Sequence, residues 1–97
     1  MKFEISRRAR RELERINRWW IENRDSRGLF VRDLAQAEMH LRTAPESEVW
    51  RNRGDHVIRR WLLPKTGYHL YYRYDAAQKH LVILAVWGAT RGTTPRL

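Results

Sequence analysis

Apolar positions change their period once along this chain. From Arg7 to about Arg24, Ala9, Leu13, Ile16 and Trp20 recur at steps of four, three and four, which is one face of an amphipathic helix. Ser6 precedes the run as an N-cap. Arg7, Arg8, Arg11, Arg15 and Arg18 fall mostly off that face, and Glu14–Arg18 and Arg18–Glu22 are spaced to pair along it. Phe30, Leu34, Ala37 and Leu41 repeat the spacing to about Arg42. Asp25 or Ser26 is expected to cap this second helix, and Thr43-Ala44-Pro45 to end it, because proline disfavours helical geometry in the residue before it. Two helices with so short a connector should form an antiparallel hairpin.

Beyond His56 the pattern shifts to apolar and aromatic runs broken by turn residues. Val57, Ile58, Trp61, Leu62 and Leu63 form the first run and Pro64 to Gly67 breaks it. Tyr68, Leu70, Tyr71, Tyr72 and Tyr74 form the second, ended by Asp75 to Gln78. Leu81 to Leu84, Val86 and Trp87 form the third. Such runs predict three consecutive antiparallel strands. Alternation places Tyr68, Leu70, Tyr72 and Tyr74 on one face and His69, Tyr71 and Arg73 on the other. In the same way Ile58, Arg60 and Leu62 oppose Val57, Arg59, Trp61 and Leu63. On the third strand Leu81, Ile83, Ala85 and Trp87 oppose His80, Val82, Leu84 and Val86. Aromatic residues beside arginines on both faces mark a candidate binding surface.

Lys2 to Ile5 alternates as a short first strand, at the sheet edge or against a central strand. Glu46 to Asp55 reads as the least structured internal segment, anchored by Val49 and Trp50. The tail from Ala89 to Leu97 has no period, and Gly92 and Pro95 argue for an extended arm over the surface. The expected fold is therefore α+β, one domain over 1–97. It has a short N-terminal strand (1–5) and an antiparallel helix hairpin (7–43). The hairpin packs on a C-terminal three-stranded antiparallel meander (56–87), followed by an extended tail (88–97). The sheet should have about four strands.

Composition adds charge to this picture. Lys and Arg number 20 against 11 acidic residues, a net charge of +9. Only Lys2, Lys65 and Lys79 are lysines. Guanidinium forks pair with phosphate or carboxylate, so the partner should be polyanionic, either nucleic acid or an acidic protein. The chain has no cysteine, which removes disulfides and thiolate metal sites and fits a reducing cytoplasm. No segment approaches the apolar length of a membrane span and the N-terminus has no secretory h-region. A soluble cytoplasmic protein without membrane contact is expected.

Several residues stand together in a familiar order: Arg59-Arg60, the Pro64 to Gly67 turn, and Tyr68-His69-Leu70-Tyr71-Tyr72-Arg73. Ala85-Val86-Trp87 then leads into Arg91-Gly92. With them the chain resembles the RelE/ParE superfamily of bacterial toxins, most closely its ParE branch in type II toxin–antitoxin systems. The order of strand, helix hairpin, meander and tail is similar along the full length. The resemblance implies a toxin silenced by a cognate ParD-type antitoxin, a ribbon-helix-helix DNA-binding protein with an acidic C-terminal segment. Operator DNA would be reached only through that antitoxin. ParE-like members poison DNA gyrase, and RelE-like members cleave messenger RNA on the ribosome.

Cleavage would need a base for the ribose 2′-hydroxyl, a proton donor and cations for the phosphate. His69 stands where RelE-like toxins place a strand arginine, and Gly88-Ala89 where many relatives carry a basic residue or histidine. His69, Tyr71, Arg73 and Arg91 would make a reduced nuclease set. The preferred reading packs His69 and Tyr71 on the sheet and leaves Arg73 to solvent or partner, with no catalytic residue and no cofactor. His40, His56 and His80 have no metal-ligand spacing, and the glycines form no phosphate loop. Trp20, with Trp61 or Trp87, is expected in the core. Trp19 and Trp50 fall outside the core pattern and suit an interface. Arg59, Arg60, Arg73, Arg91 and Arg96 are expected to receive the acidic antitoxin, although many first-helix arginines simply make a solvated face. A small basic DNA- or RNA-binding domain is a third reading, weakened by the absence of a recognition motif.

Overall fold

The computed structural model describes residues 1–97 as two helices and one five-stranded mixed sheet. The elements are β1 (Lys2–Ile5), α1 (Arg7–Asn23), α2 (Leu29–Thr43), β2 (Val49–Arg53), β3 (His56–Leu63), β4 (Tyr68–Asp75) and β5 (His80–Gly88). The strand order is β1-β5-β4-β3-β2. β1 lies parallel to β5, and every other neighbouring pair is antiparallel. Both helices cover one face, where Ala9, Ile16, Trp20, Phe30, Ala37 and Leu41 meet Leu63, Leu70, Tyr72, Leu81, Ile83 and Val86. No helix is long and apolar enough to cross a membrane.

Three expectations change. The segment from Glu46 to Asp55 holds a strand, β2, which pairs with β3 at the sheet edge. Its alternation is invisible because four of its five residues are exposed, and an edge strand needs charge more than an apolar face. Gly54, at a φ of 61°, turns the chain between β2 and β3. The cap of α2 is neither Asp25 nor Ser26. Gly28 holds the position with no side-chain bond, because Arg27 N–H to Asp25 O (2.9 Å) and Leu29 N–H to Ser26 O (3.1 Å) already close the connector.

The third change concerns β5. Tyr71 pairs with Ala85 but Tyr72 pairs with Ile83, so Leu84 is one residue extra. Such a bulge reverses the alternation that follows it. Leu81 and Ile83 therefore face the helices together with Val86, while Ala85 and Trp87 face away. Trp61 packs against the helix-side core as expected of one of the pair, and Trp87 lies on the opposite face.

The bulge is tied to α1. β1 ends opposite Ile83, and side chains take over the edge of β5 from there. Ser6 Oγ accepts from Ala9 N–H (3.1 Å) as the N-cap and donates to Leu84 O (3.2 Å). Glu12, only 7% exposed, accepts from Val86 N–H at 2.9 Å through Oε1. Its Oε2 lies 3.3 Å from Arg8 Nε. A buried N–H stripped of its partner costs about 1–3 kcal/mol. Glu12→Leu should accordingly lower stability by about 2 kcal/mol in denaturant titration, and Glu12→Gln, which keeps an acceptor, by clearly less. An unchanged midpoint for Glu12→Leu would remove this bond from the account.

Asp33 is the second buried carboxylate, 3% exposed on α2. Its Oδ2 accepts from Lys65 N–H (3.1 Å), Thr66 N–H (2.9 Å) and Thr66 Oγ1 (2.8 Å). One side chain thus fixes the β3–β4 turn to the helix layer.

Candidate interaction face

The sheet face turned away from the helices carries the arrangement of most interest. Ile58, Tyr71 and Ala85 are buried there, with Trp50, Leu84, Trp87 and Leu97 packed around them. β2 brings Trp50 over the sheet because Trp50 sits at a register shift between Val49 and Arg51. Its ring meets Tyr71 edge to face at 4.7 Å. His69 lies 6.0 Å from Tyr71 and is paired across the ladder with Trp87. An aromatic strip from Trp50 through Tyr71 and His69 to Trp87 results.

Arginines line this strip. The Arg51 guanidinium lies 4.2 Å from the Trp50 ring centre, and Arg91 lies 4.1 Å from that of Trp87. Arg8 approaches Trp87 more distantly, at 6.0 Å. Stacking of this kind is worth about 0.5–1 kcal/mol each when exposed and fixes where the charge stands. The tail returns beside the strip. Trp87 Nε1–H donates to Thr93 Oγ1 (3.3 Å), Pro95 is buried, and Leu97 joins the apolar cluster. Arg8 holds it further by donating to Arg96 O at 2.6 Å.

Burial lowers the pKa of His69 below the ordinary 6.5, Arg60 lowers it further, and Glu48 opposes both. The folded state therefore binds fewer protons than the unfolded chain just below pH 6.5. This contribution to stability is complete above that pH and is lost as pH falls through the folded pKa. A proton NMR titration should place the His69 midpoint below 6.5, and Arg60→Ala should move it upward. A midpoint at or above 6.5 would mean the ring is solvated and remote from Arg60.

The expected binding residues divide among several places. Trp50, Arg60 and Arg73 belong to the open face, and Arg91 stands at its margin on Trp87. Arg59 is on the opposite face, because neighbours in a strand point apart. It donates to Ser47 O at 2.7 Å, lies 3.9 Å from Glu46, and is only 15% exposed. Arg59 thus braces the segment between α2 and β2. Arg96 projects from the tail. Trp19, 44% exposed, lies on α1 under the Arg24 guanidinium at 5.2 Å.

Of the nuclease set, His69, Tyr71 and Arg73 share one strand face and Arg91 stands beyond Trp87. They are not equivalent chemically. Tyr71 is 1% exposed beneath Trp50, so its ring is committed to packing. His69 offers an imidazole whose pKa is lowered by burial and by the Arg60 charge. No three histidine, cysteine or acidic side chains converge on a point where a metal ion would sit. Arg51 and Trp87 complete the strip without having been marked by pattern. The adjacency of Trp50 and Arg51 is the signal that points to the first.

Compared with known proteins, the chain matches no family model, no curated protein and no solved structure.

Proposed function

We propose that this chain is the toxin component of a type II toxin–antitoxin pair, of RelE/ParE-like build. It acts by binding DNA gyrase and trapping it on cleaved DNA, and a cognate ParD-type antitoxin with an acidic segment neutralises it. The observation that carries the reading is the open sheet face. Trp50 and Trp87 with Arg51, Arg60 and Arg91 surround a buried tyrosine ring. Tryptophan and arginine around a desolvated centre suit recognition of another protein, whereas hydrolysis or transfer requires accessible proton-transfer groups. The order of β1, two helices and four successive antiparallel strands, the last three of them the expected meander, supports the same family reading.

A second reading, a ribosome-dependent endoribonuclease of the RelE type, is favoured by one arrangement: His69 shares a strand face with Arg73, and burial and the Arg60 charge lower its pKa. Controlled expression in a bacterial host separates the two. The gyrase reading expects growth arrest with induction of the DNA-damage response, relieved by the antitoxin, and the same arrest from His69→Ala. Arrest with loss of messenger RNA and no DNA damage, abolished in folded His69→Ala, would replace it with the nuclease reading.

A further inference from the structure

The outer face of α1 carries a charged ridge that neither the core nor the open sheet face uses. At 3.6 residues per turn, Arg7, Arg11, Arg15 and Arg18 fall within about 80° of arc. That arc lies opposite the buried Ala9, Ile16 and Trp20. All four are exposed, and so is Arg10 beside them. The rise per residue spaces Arg7, Arg11 and Arg15 about 6 Å apart along the axis, close to the step between successive phosphates on a nucleic-acid strand. None of these arginines is neutralised. The arginine ion pairs that form are Arg8–Glu12, Arg42–Glu38 and Arg59–Glu46, and Arg18 meets neither Glu14 nor Glu22, although the spacing allows both. The helix gains nothing from the arrangement. Its first turn holds no acidic residue, while Arg7, Arg8 and Arg10 crowd the positive end of the helix dipole, where carboxylates would be favoured. A local rule broken without compensation inside the fold points to a partner outside it.

We infer that this ridge binds the phosphate backbone of duplex DNA directly. Guanidinium forks pair with phosphate oxygens, and a row of them neutralises one strand as it passes. Every exposed residue from Arg7 to Arg18 is charged, Glu14 being the single acid. The ridge therefore lacks the apolar centre on which protein interfaces close. It also lacks the aromatic platforms on which unpaired bases stack. B-form DNA presents a groove about 12 Å wide between its phosphates, which matches a helix about 10–12 Å across. The deep, narrow groove of duplex RNA does not admit side chains. The inference goes beyond the toxin reading, in which DNA is reached through gyrase or the antitoxin, and rests on no part of it.

The test is the fluorescence anisotropy of a labelled DNA duplex of about two helical turns, titrated with the full chain alone. Contacts from the four arginines predict an affinity that falls on the order of a hundredfold between about 50 and 200 mM salt. Arg7→Glu combined with Arg11→Glu should weaken binding at least about tenfold and flatten the salt dependence. Its melting temperature should be unchanged or higher, since glutamate suits this end of the helix. Arg51→Glu combined with Arg53→Glu makes the same change in charge on β2, at the far edge of the sheet. It should weaken binding less than about threefold. Equal losses from the two double variants would reduce the effect to net charge and overturn the inference. Tighter binding of an RNA duplex or of an oligoglutamate of equal charge would overturn it as well, as would an affinity indifferent to salt. Failure of gyrase trapping leaves these affinities as measured, so the two readings are tested separately.

Discussion

Asp33→Ala is expected to cost this fold about 3 kcal/mol, since hydrogen bonds to a charged group are worth about 1.5–3 kcal/mol each and their loss strands the donors. The carboxylate oxygen holds two turn amides and the Thr66 hydroxyl at once. In a domain of this size such a loss lowers the melting temperature by about 12–24 °C. Asp33→Asn keeps an acceptor and should lose less than half as much. The consequence extends beyond the turn, because Pro64 to Gly67 sets the register of Leu63 against Tyr68. Tyr68 in turn meets Phe30 edge to face at 5.3 Å. Thermal melts of the two variants decide the matter. An alanine variant that melts with the parent would show that the turn holds without α2.

Tyr71 separates packing from chemistry. Its ring fills the space among Ile58, Ala85 and Trp50, so Tyr71→Ala should destabilise by about 3–5 kcal/mol, as other large-to-small aromatic changes do. Tyr71→Phe retains the ring and should change stability by less than about 1.5 kcal/mol. Under the binding account Tyr71→Phe also keeps full toxicity in a growth-arrest assay. Loss of toxicity from this variant at unchanged stability would mean that the hydroxyl takes part in a reaction, against the binding account.

Much of this architecture was legible in the chain, and each exception has its own physical cause. The first helix was readable because Ala9, Ile16 and Trp20 face the sheet continuously and Ser6 caps it. The helix-facing side of β4 followed from simple alternation of Leu70 and Tyr72. Alternation failed in β5 because one extra residue, Leu84, reverses the phase and leaves no mark in an all-apolar run. It failed in β2 because an exposed edge strand has no buried face to display. Asp33 and Glu12 were silent for another reason. Each sits at a position the helical pattern would assign to the apolar face, and each is satisfied by backbone donors far away in the chain. Of the expected binding residues, Trp50 came from its place outside the core pattern and Arg91 from the arginine excess and the resemblance, but the separation of Arg59 from Arg60 required the sheet. Adjacent arginines in a strand cannot serve one surface, and here one is structural.

The proposal to test first is that the protein binds gyrase without chemistry on nucleic acid. The most direct measurement incubates purified gyrase, ATP and supercoiled plasmid with this protein and scores linear, gyrase-linked DNA. The account predicts cleaved complexes that rise with dose, disappear with the antitoxin and persist with His69→Ala. Gyrase left untouched while translating ribosomes lose their message would contradict it and transfer the function to His69 and the arginines around it.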